Sequence, residues 1–126
     1  MKTIINTTNA PAPIGPYSQA VAANGFLFIS GQIAINPATG ELTVESVKNE
    51  TEQVMRNLHA VLLEAGYGFE HVLKTTIFLS DMGLFAEVNE IYGSFFTSDF
   101  PARETVAVKG LPKGVNVEIS VTAYKA

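Results

Sequence analysis

VNVEISVTAY, residues Val115 to Tyr124, alternates without a break. Val115, Val117, Ile119, Val121 and Ala123 are apolar or small, whereas Asn116, Glu118, Ser120, Thr122 and Tyr124 carry polar atoms. A period of two marks a strand with one face in a core, so the odd positions are expected to meet covering helices. The even face is hydroxyl-rich and carries a single charge, Glu118. A water-facing surface ordinarily bears more charge, and this face is therefore expected to meet another subunit.

The rest of the chain supplies the helices. Val54, Leu58, Val61, Leu62 and Ala65 recur at helical spacing, and Gly66 follows as a C-terminal cap. Asp81 is placed to cap a second helix, whose apolar stripe of Leu84, Phe85, Val88, Ile91, Tyr92, Phe95 and Phe96 reads as core and ends before Pro101. Tyr17 to Ala23 and Phe26 to Ser30 flank Asn24-Gly25, a hairpin signal because both residues accept positive φ. The stretch from Ala10 to Pro16 reads as a loop, and Asn36 to Gly40 as a turn. Val72 to Ser80 is rich in β-branched residues, with Leu73, Ile77 and Leu79 expected on one side. Glu104 to Lys109 and Val115 to Tyr124 read as a hairpin around Pro112-Lys113-Gly114. The order of elements predicts an α+β fold: one domain over residues 1–126, a mixed sheet with two helices packed on one face.

Composition narrows the function. The chain has 126 residues, 47% hydrophobic and only 16% charged, against about 25% charged in ordinary soluble domains. A net charge of −4 gives no electrostatic footprint for nucleic acid or an anionic membrane. The absence of cysteine removes disulfides, thiolate zinc sites and a cysteine nucleophile. The N-terminal residues lack the long apolar run of a signal peptide, and no window approaches the ~20 apolar residues of a membrane span, so a cytoplasmic protein is expected. His59 and His71 stand 12 apart without cysteine support, an improbable metal pair. Gly66-Tyr-Gly68 lacks the third glycine of a dinucleotide fingerprint and follows a helix, and no GxSxG, HExxH or phosphate-binding loop occurs. Ser30 has no evident histidine partner.

What remains is an arginine. Arg103, in FPARETV (100–106), is one of only two in the chain. A guanidinium fork matches a carboxylate in a bidentate way that lysine cannot reproduce. On the hairpin reading Arg103 and Glu118 lie near each other, so the arginine either binds a ligand carboxylate or forms a structural ion pair with Glu118 or Glu104. Glu104 is the weaker candidate, because neighbours in a strand point to opposite faces.

The segment PARETVAVKGLPKGVNVEIS (101–120) closely resembles the signature of the Rid (YjgF-type) family of reactive intermediate deaminases. APAPIGPYSQAV (10–21), FISGQIAINPATGE (28–41) and VLKTTIFLSDMGLFAEVNEIYGSFF (72–96) match in the same order, so the resemblance spans essentially the whole chain. It implies a chorismate-mutase-like fold and a homotrimer whose sheets form a central barrel, with ligand clefts between subunits. It also implies hydrolysis of 2-imino acids such as 2-iminobutanoate and 2-iminopropanoate, and their enamine tautomers, to 2-keto acids and ammonia, with no cofactor. By position, Arg103 matches the residue that clamps the substrate carboxylate, and Glu118 the acid near the attacking water. Tyr17, Ser30, Gly31 and Asn89 match cleft positions. Thr105 stands where many relatives have cysteine, and its carbonyl, more than its side chain, would face the ligand. Glu104 replaces a usually small residue and is expected on the far side of the strand. The alternative is a non-catalytic or regulatory module binding small 2-keto or amino acids. Ribonuclease action has been associated with the family, but the acidic charge balance argues against it here; a chaperone role leaves no sequence signal.

Overall fold

The computed structural model describes residues 1–126. Six strands form one mixed sheet: β1 (Thr3–Ile5), β2 (Ala20–Ala23), β3 (Phe26–Gln32), β4 (Val72–Leu79), β5 (Ala102–Ala107) and β6 (Val117–Tyr124), in the spatial order β1-β2-β3-β6-β4-β5. Helices α1 (Val47–Glu64) and α2 (Phe85–Gly93) lie on one face. Val117, Ile119, Val121 and Ala123 of β6 are buried beneath them, as the alternation predicts. Val54, Leu58, Val61 and Leu62 of α1 pack on that strand row, together with Leu27, Ile29, Ile77 and Leu79.

Local signals act where they were expected. Asn24 and Gly25 have φ values of 52° and 85° and turn β2 into β3. Gly66, at φ 83°, ends α1. Asp81 accepts a hydrogen bond from the Gly83 N–H and starts a short 3-10 turn that runs into α2. Phe95 and Phe96 lie beyond the end of α2 but still pack on the core.

Two expectations need correction, and one strand is additional to them. Strand β1, which no signal in the sequence marks, extends the sheet beyond β2. Leu73 falls in an irregularity of the β4–β6 pairing and is exposed instead of sharing the buried side with Ile77 and Leu79. Most consequentially, β5 and β6 do not form a hairpin: β5 pairs in parallel with β4, and β4 separates it from β6. The helix between β4 and β5 explains this, since a strand–helix–strand crossover returns the chain in the same direction.

Buried polar side chains then fix the loops around one end of the sheet. Gln19 accepts from the Thr7 N–H at 2.7 Å and donates to the carbonyls of Thr7, Ala10 and Pro11, holding the proline-rich loop. Asn57 of α1 donates to the carbonyls of Ile33 and Ile35, each at 3.0 Å. Unsatisfied carbonyls in a buried loop would be costly, and one amide answers two of them.

Candidate functional site

The expected site residues fall into two clusters. In the β4–β5 register Arg103 sits opposite Thr75, whereas in the β4–β6 register Glu118 sits opposite Phe78. Two strand spacings across and three residues along give a Cα separation of about 14 Å. The two side chains also leave opposite faces of the sheet. Arg103 turns toward α2, and alternation with the buried Val117 and Ile119 sends Glu118 away from the helices. Within one protomer they are not neighbours, which corrects the hairpin reading and removes Glu118 as an ion-pair partner.

The first cluster is built by α2 under β5. Phe85, Asn89 and Tyr92 share one helix face. The Arg103 guanidinium carbon lies 5.5 Å from the centroid of the Phe85 ring and 5.3 Å from that of Tyr92. Asn89 Oδ1 accepts a hydrogen bond from Arg103 Nη1 at 2.6 Å. Tyr92 is itself anchored, its hydroxyl donating to Thr75 Oγ1 at 2.9 Å. Burial raises the Tyr92 phenol above its ordinary range, against the smaller opposing effects of the Thr75 hydrogen bond and the Arg103 charge, so it stays neutral beside the cation. No carboxylate lies within salt-bridge distance of Arg103. Its remaining donors line a cavity of about 410 Å³ with Asn89, Tyr92, Gly93, Phe100 and Pro101. Cation–π contact with two rings at this separation orients the guanidinium without consuming its hydrogen-bonding fork.

Glu104 takes no part. Its carboxylate accepts from Thr76 Oγ1 at 2.6 Å and meets Lys74 Nζ at 3.0 Å on the other side of the strand. Those contacts, the Thr76 hydrogen bond first, hold its carboxyl below the usual range. Thr105 shares the helix-facing side of β5 with Arg103, and its Oγ1 is buried without a hydrogen-bond partner.

The second cluster surrounds Glu118. A cavity of about 230 Å³ is lined by Tyr17, Gly31 and Glu118 together with apolar residues of the loop held by Gln19, the segment held by Asn57, and Pro112 and Lys113. Glu118 is half-buried, and this desolvation raises its carboxyl above the ordinary glutamate range. Ser30 and Gly31 occupy a bulge between the Ile29–Val121 and Gln32–Ile119 pairs. A Cβ built on Gly31 would overlap Glu118 Oε2 and stand 2.8 Å from its Cδ, so the missing side chain is what lets the carboxylate lie against this backbone. The Ser30 hydroxyl is engaged, donating to the Ser18 carbonyl at 2.6 Å.

Sequence reading missed Phe85 and Tyr92 as the walls of the arginine site, because their stripe reads equally well as core. Their signal was the i, i+4, i+7 spacing with Asn89. It missed Lys113 as a cavity residue, and nothing in the turn Pro112-Lys113-Gly114 marks it. No three His, Asp or Glu side chains stand close enough to hold a metal ion, and no helix is long and apolar enough to cross a membrane.

A single α+β domain with a helix-held guanidinium and a carboxylate set against a β-bulge now has its counterparts among known proteins. The Endoribonuclease L-PSP family matches residues 7–125. A RutC family protein of Pyrococcus horikoshii is 51% identical over 125 residues, covering 99% of each chain. The 2-iminobutanoate/2-iminopropanoate deaminase of Mus musculus is 45% identical over 125 residues, covering 99% of this chain and 93% of that protein. The crystal structure of YyfA from Yersinia pestis, of the conserved Rid protein family, superposes with a TM-score of 0.97 at 49% identity, covering 99% of this chain and all of the other. The chain belongs to the Rid (YjgF, Endoribonuclease L-PSP) family.

Proposed function

We propose that the protein hydrolyses reactive 2-imino acids, 2-iminobutanoate and 2-iminopropanoate with their enamine tautomers, to 2-keto acids and ammonia. The reaction needs no metal or cofactor and takes place in a cleft between subunits of a homotrimer. The observation that carries this reading is Arg103: a guanidinium oriented by Phe85, Tyr92 and Asn89, with no carboxylate of its own, open to a cavity. The name of the mouse relative supports the same activity.

Assembly brings the two clusters together. Strand β5 ends the sheet with its outer edge unpaired, and the face away from the helices exposes Ile4, Phe26, Phe28, Val106 and Tyr124. A free strand edge and an apolar sheet face both favour a partner. Packing of three such sheets sets the Arg103 cluster of one protomer beside the Glu118 cluster of its neighbour.

The chemistry follows from the groups. Arg103 holds the substrate carboxylate through two charge-assisted hydrogen bonds, each contributing about 1.5–3 kcal/mol. Glu118, ionised, takes a proton from water as the oxygen attacks the C=N carbon. The resulting carbinolamine receives that proton on nitrogen; its hydroxyl then returns a proton to the ionised Glu118 as the C–N bond breaks, so that ammonia leaves and the C=O bond forms. The Thr105 carbonyl orients the iminium N–H, while Tyr17 walls the cleft. Ser30 shapes the bulge, and Asn89 steadies the arginine.

Two outcomes are expected from the Glu118 cluster. Because Glu118 must be ionised and burial raises its carboxyl, kcat/KM falls on the acid side with a midpoint above the ordinary glutamate range; a midpoint at or below that range contradicts its assigned role. Gly31→Ala, whose Cβ forces Glu118 to swing aside, lowers kcat by about 10²-fold in a folded protein, as expected for displacement of a reacting group by ~1 Å. Steady-state kinetics beside circular dichroism decide this, and unchanged kcat counts against the assignment.

The experiment that tests the function itself is a threonine dehydratase reaction in which release of 2-ketobutyrate is timed with and without the protein. Acceleration over the solvent rate supports the reading, and none contradicts it.

A further inference from the structure

Glu50 is a carboxylate buried where none is expected. It lies on α1, fully inaccessible to water, and no lysine, arginine or histidine is within salt-bridge distance. Three donors answer it instead. Glu50 Oε2 accepts from the backbone N–H groups of Asn116 at 2.8 Å and Val117 at 3.2 Å, and Oε1 accepts from Asn116 Nδ2 at 2.9 Å. On the other side, the Ser80 N–H donates to the Asn116 carbonyl at 2.9 Å and the Ser80 hydroxyl to Asn116 Oδ1 at 3.2 Å.

Burying a carboxylate on an apolar helix face is expensive, and hydrogen bonds offset the cost without a net gain in stability over an apolar packing of the same shape. What such a group adds is position. Two consecutive N–H groups on one oxygen fix both the direction and the height of the chain at that point, and the next residue is Glu118. Its carboxylate rests against Gly31, where the missing Cβ leaves room for it.

We propose that Glu50 is a positioning residue for the reacting carboxylate: by holding Asn116 and Val117 it sets the placement of Glu118 against the Ser30–Gly31 bulge. This rests on the imine-hydrolysis reading for its kinetic consequence, but not for its structural one. Gln19 and Asn57 hold apolar walls of the same cavity, whereas Glu50 grips the two residues that lead into the proton-transferring group.

The test uses the full chain with Glu50→Gln and the double variant Glu50→Gln/Asn116→Asp. In the single variant the introduced amide sets an N–H donor against the Asn116 side-chain donor. In the double variant that amide nitrogen donates to the carboxylate introduced at position 116, and the amide oxygen accepts the two backbone N–H groups. The Ser80 hydroxyl still donates to the side chain at position 116. With 2-iminobutanoate, Glu50→Gln is expected to lower kcat by about tenfold or more with KM within about twofold, and the double variant to recover most of that loss. A crystal structure of Glu50→Gln is expected to show the Glu118 carboxylate moved from Gly31. A merely structural residue would lower Tm and leave kcat per folded molecule unchanged, and that result overturns the proposal. So does a Glu50→Gln structure with Glu118 in place, whatever the activity. If the unaltered protein hydrolyses no imine, the functional reading fails, and the crystal structure still decides whether Glu50 positions Glu118.

Discussion

Arg103→Lys is expected to lower kcat/KM for 2-iminobutanoate by at least two orders of magnitude, although the charge is kept. A planar fork held between Phe85 and Tyr92 presents two parallel donors to a carboxylate; an ammonium on a flexible stem presents one point charge and stacks less well. Losing one charge-assisted hydrogen bond and the orientation of the other amounts to about 3 kcal/mol, which is roughly 10²-fold. Stability should barely change, because Arg103 is exposed and forms no ion pair within the protomer. Steady-state kinetics with a thermal melt check both halves. A lysine variant with near-normal kcat/KM would show that charge alone suffices and that the aromatic setting serves packing.

Glu118→Gln should reduce kcat by about 10²- to 10⁴-fold, the range a positioned acid–base group supplies. Its effect on stability should have the opposite sign. Burial raises the Glu118 carboxyl in the folded state, so its contribution to folding is greatest below the ordinary glutamate range and is lost as pH rises through the raised value. At neutral pH the ionised side chain therefore opposes folding, and the neutral amide relieves that. The variant should melt higher than the parent at pH 7, with the difference shrinking toward pH 4. An inactive variant that is also less stable at pH 7 would mean that Glu118 holds the fold together.

The spatial relation of Arg103 and Glu118 is legible in the sequence only in part. The alternation of Val115 to Tyr124 specified which face of β6 is buried, because one face of a strand either meets a core or does not. Asn24-Gly25 and Gly66 marked their turns for the equally local reason of positive φ. Pairing partners are not local. Pro112-Lys113-Gly114 looks like a hairpin turn, yet β4 enters between β5 and β6, and the chain on either side of the turn runs to different neighbours. The counter-signal was the helix separating Val72–Leu79 from Ala102–Ala107, which favours parallel pairing of those two strands over a hairpin downstream. Parallel pairing of that kind puts Arg103 and Glu118 on opposite sides of β4.

Within the site, the chemistry-bearing residue types were legible and their supports were not. Arg103 stands out as a rare residue type, and Glu118 as the lone charge on a polar strand face. Phe85 and Tyr92 are indistinguishable in sequence from the core residues beside them. Glu50 reads as one of several acidic residues near a helix start, and only the position of α1 over the beginning of β6 reveals what it grips. Supports of this kind depend on packing between elements far apart in the chain, which no period or turn signal encodes.

The role of Arg103 is tested most directly by one comparison: the rate of 2-ketobutyrate release from the threonine dehydratase product, measured with the parent protein and with Arg103→Ala, each checked for the same oligomeric mass by sedimentation. Acceleration by the parent and a return to the solvent rate in a variant of unchanged mass are expected. Equal acceleration by both proteins would contradict the claim that this arginine reads the substrate carboxylate.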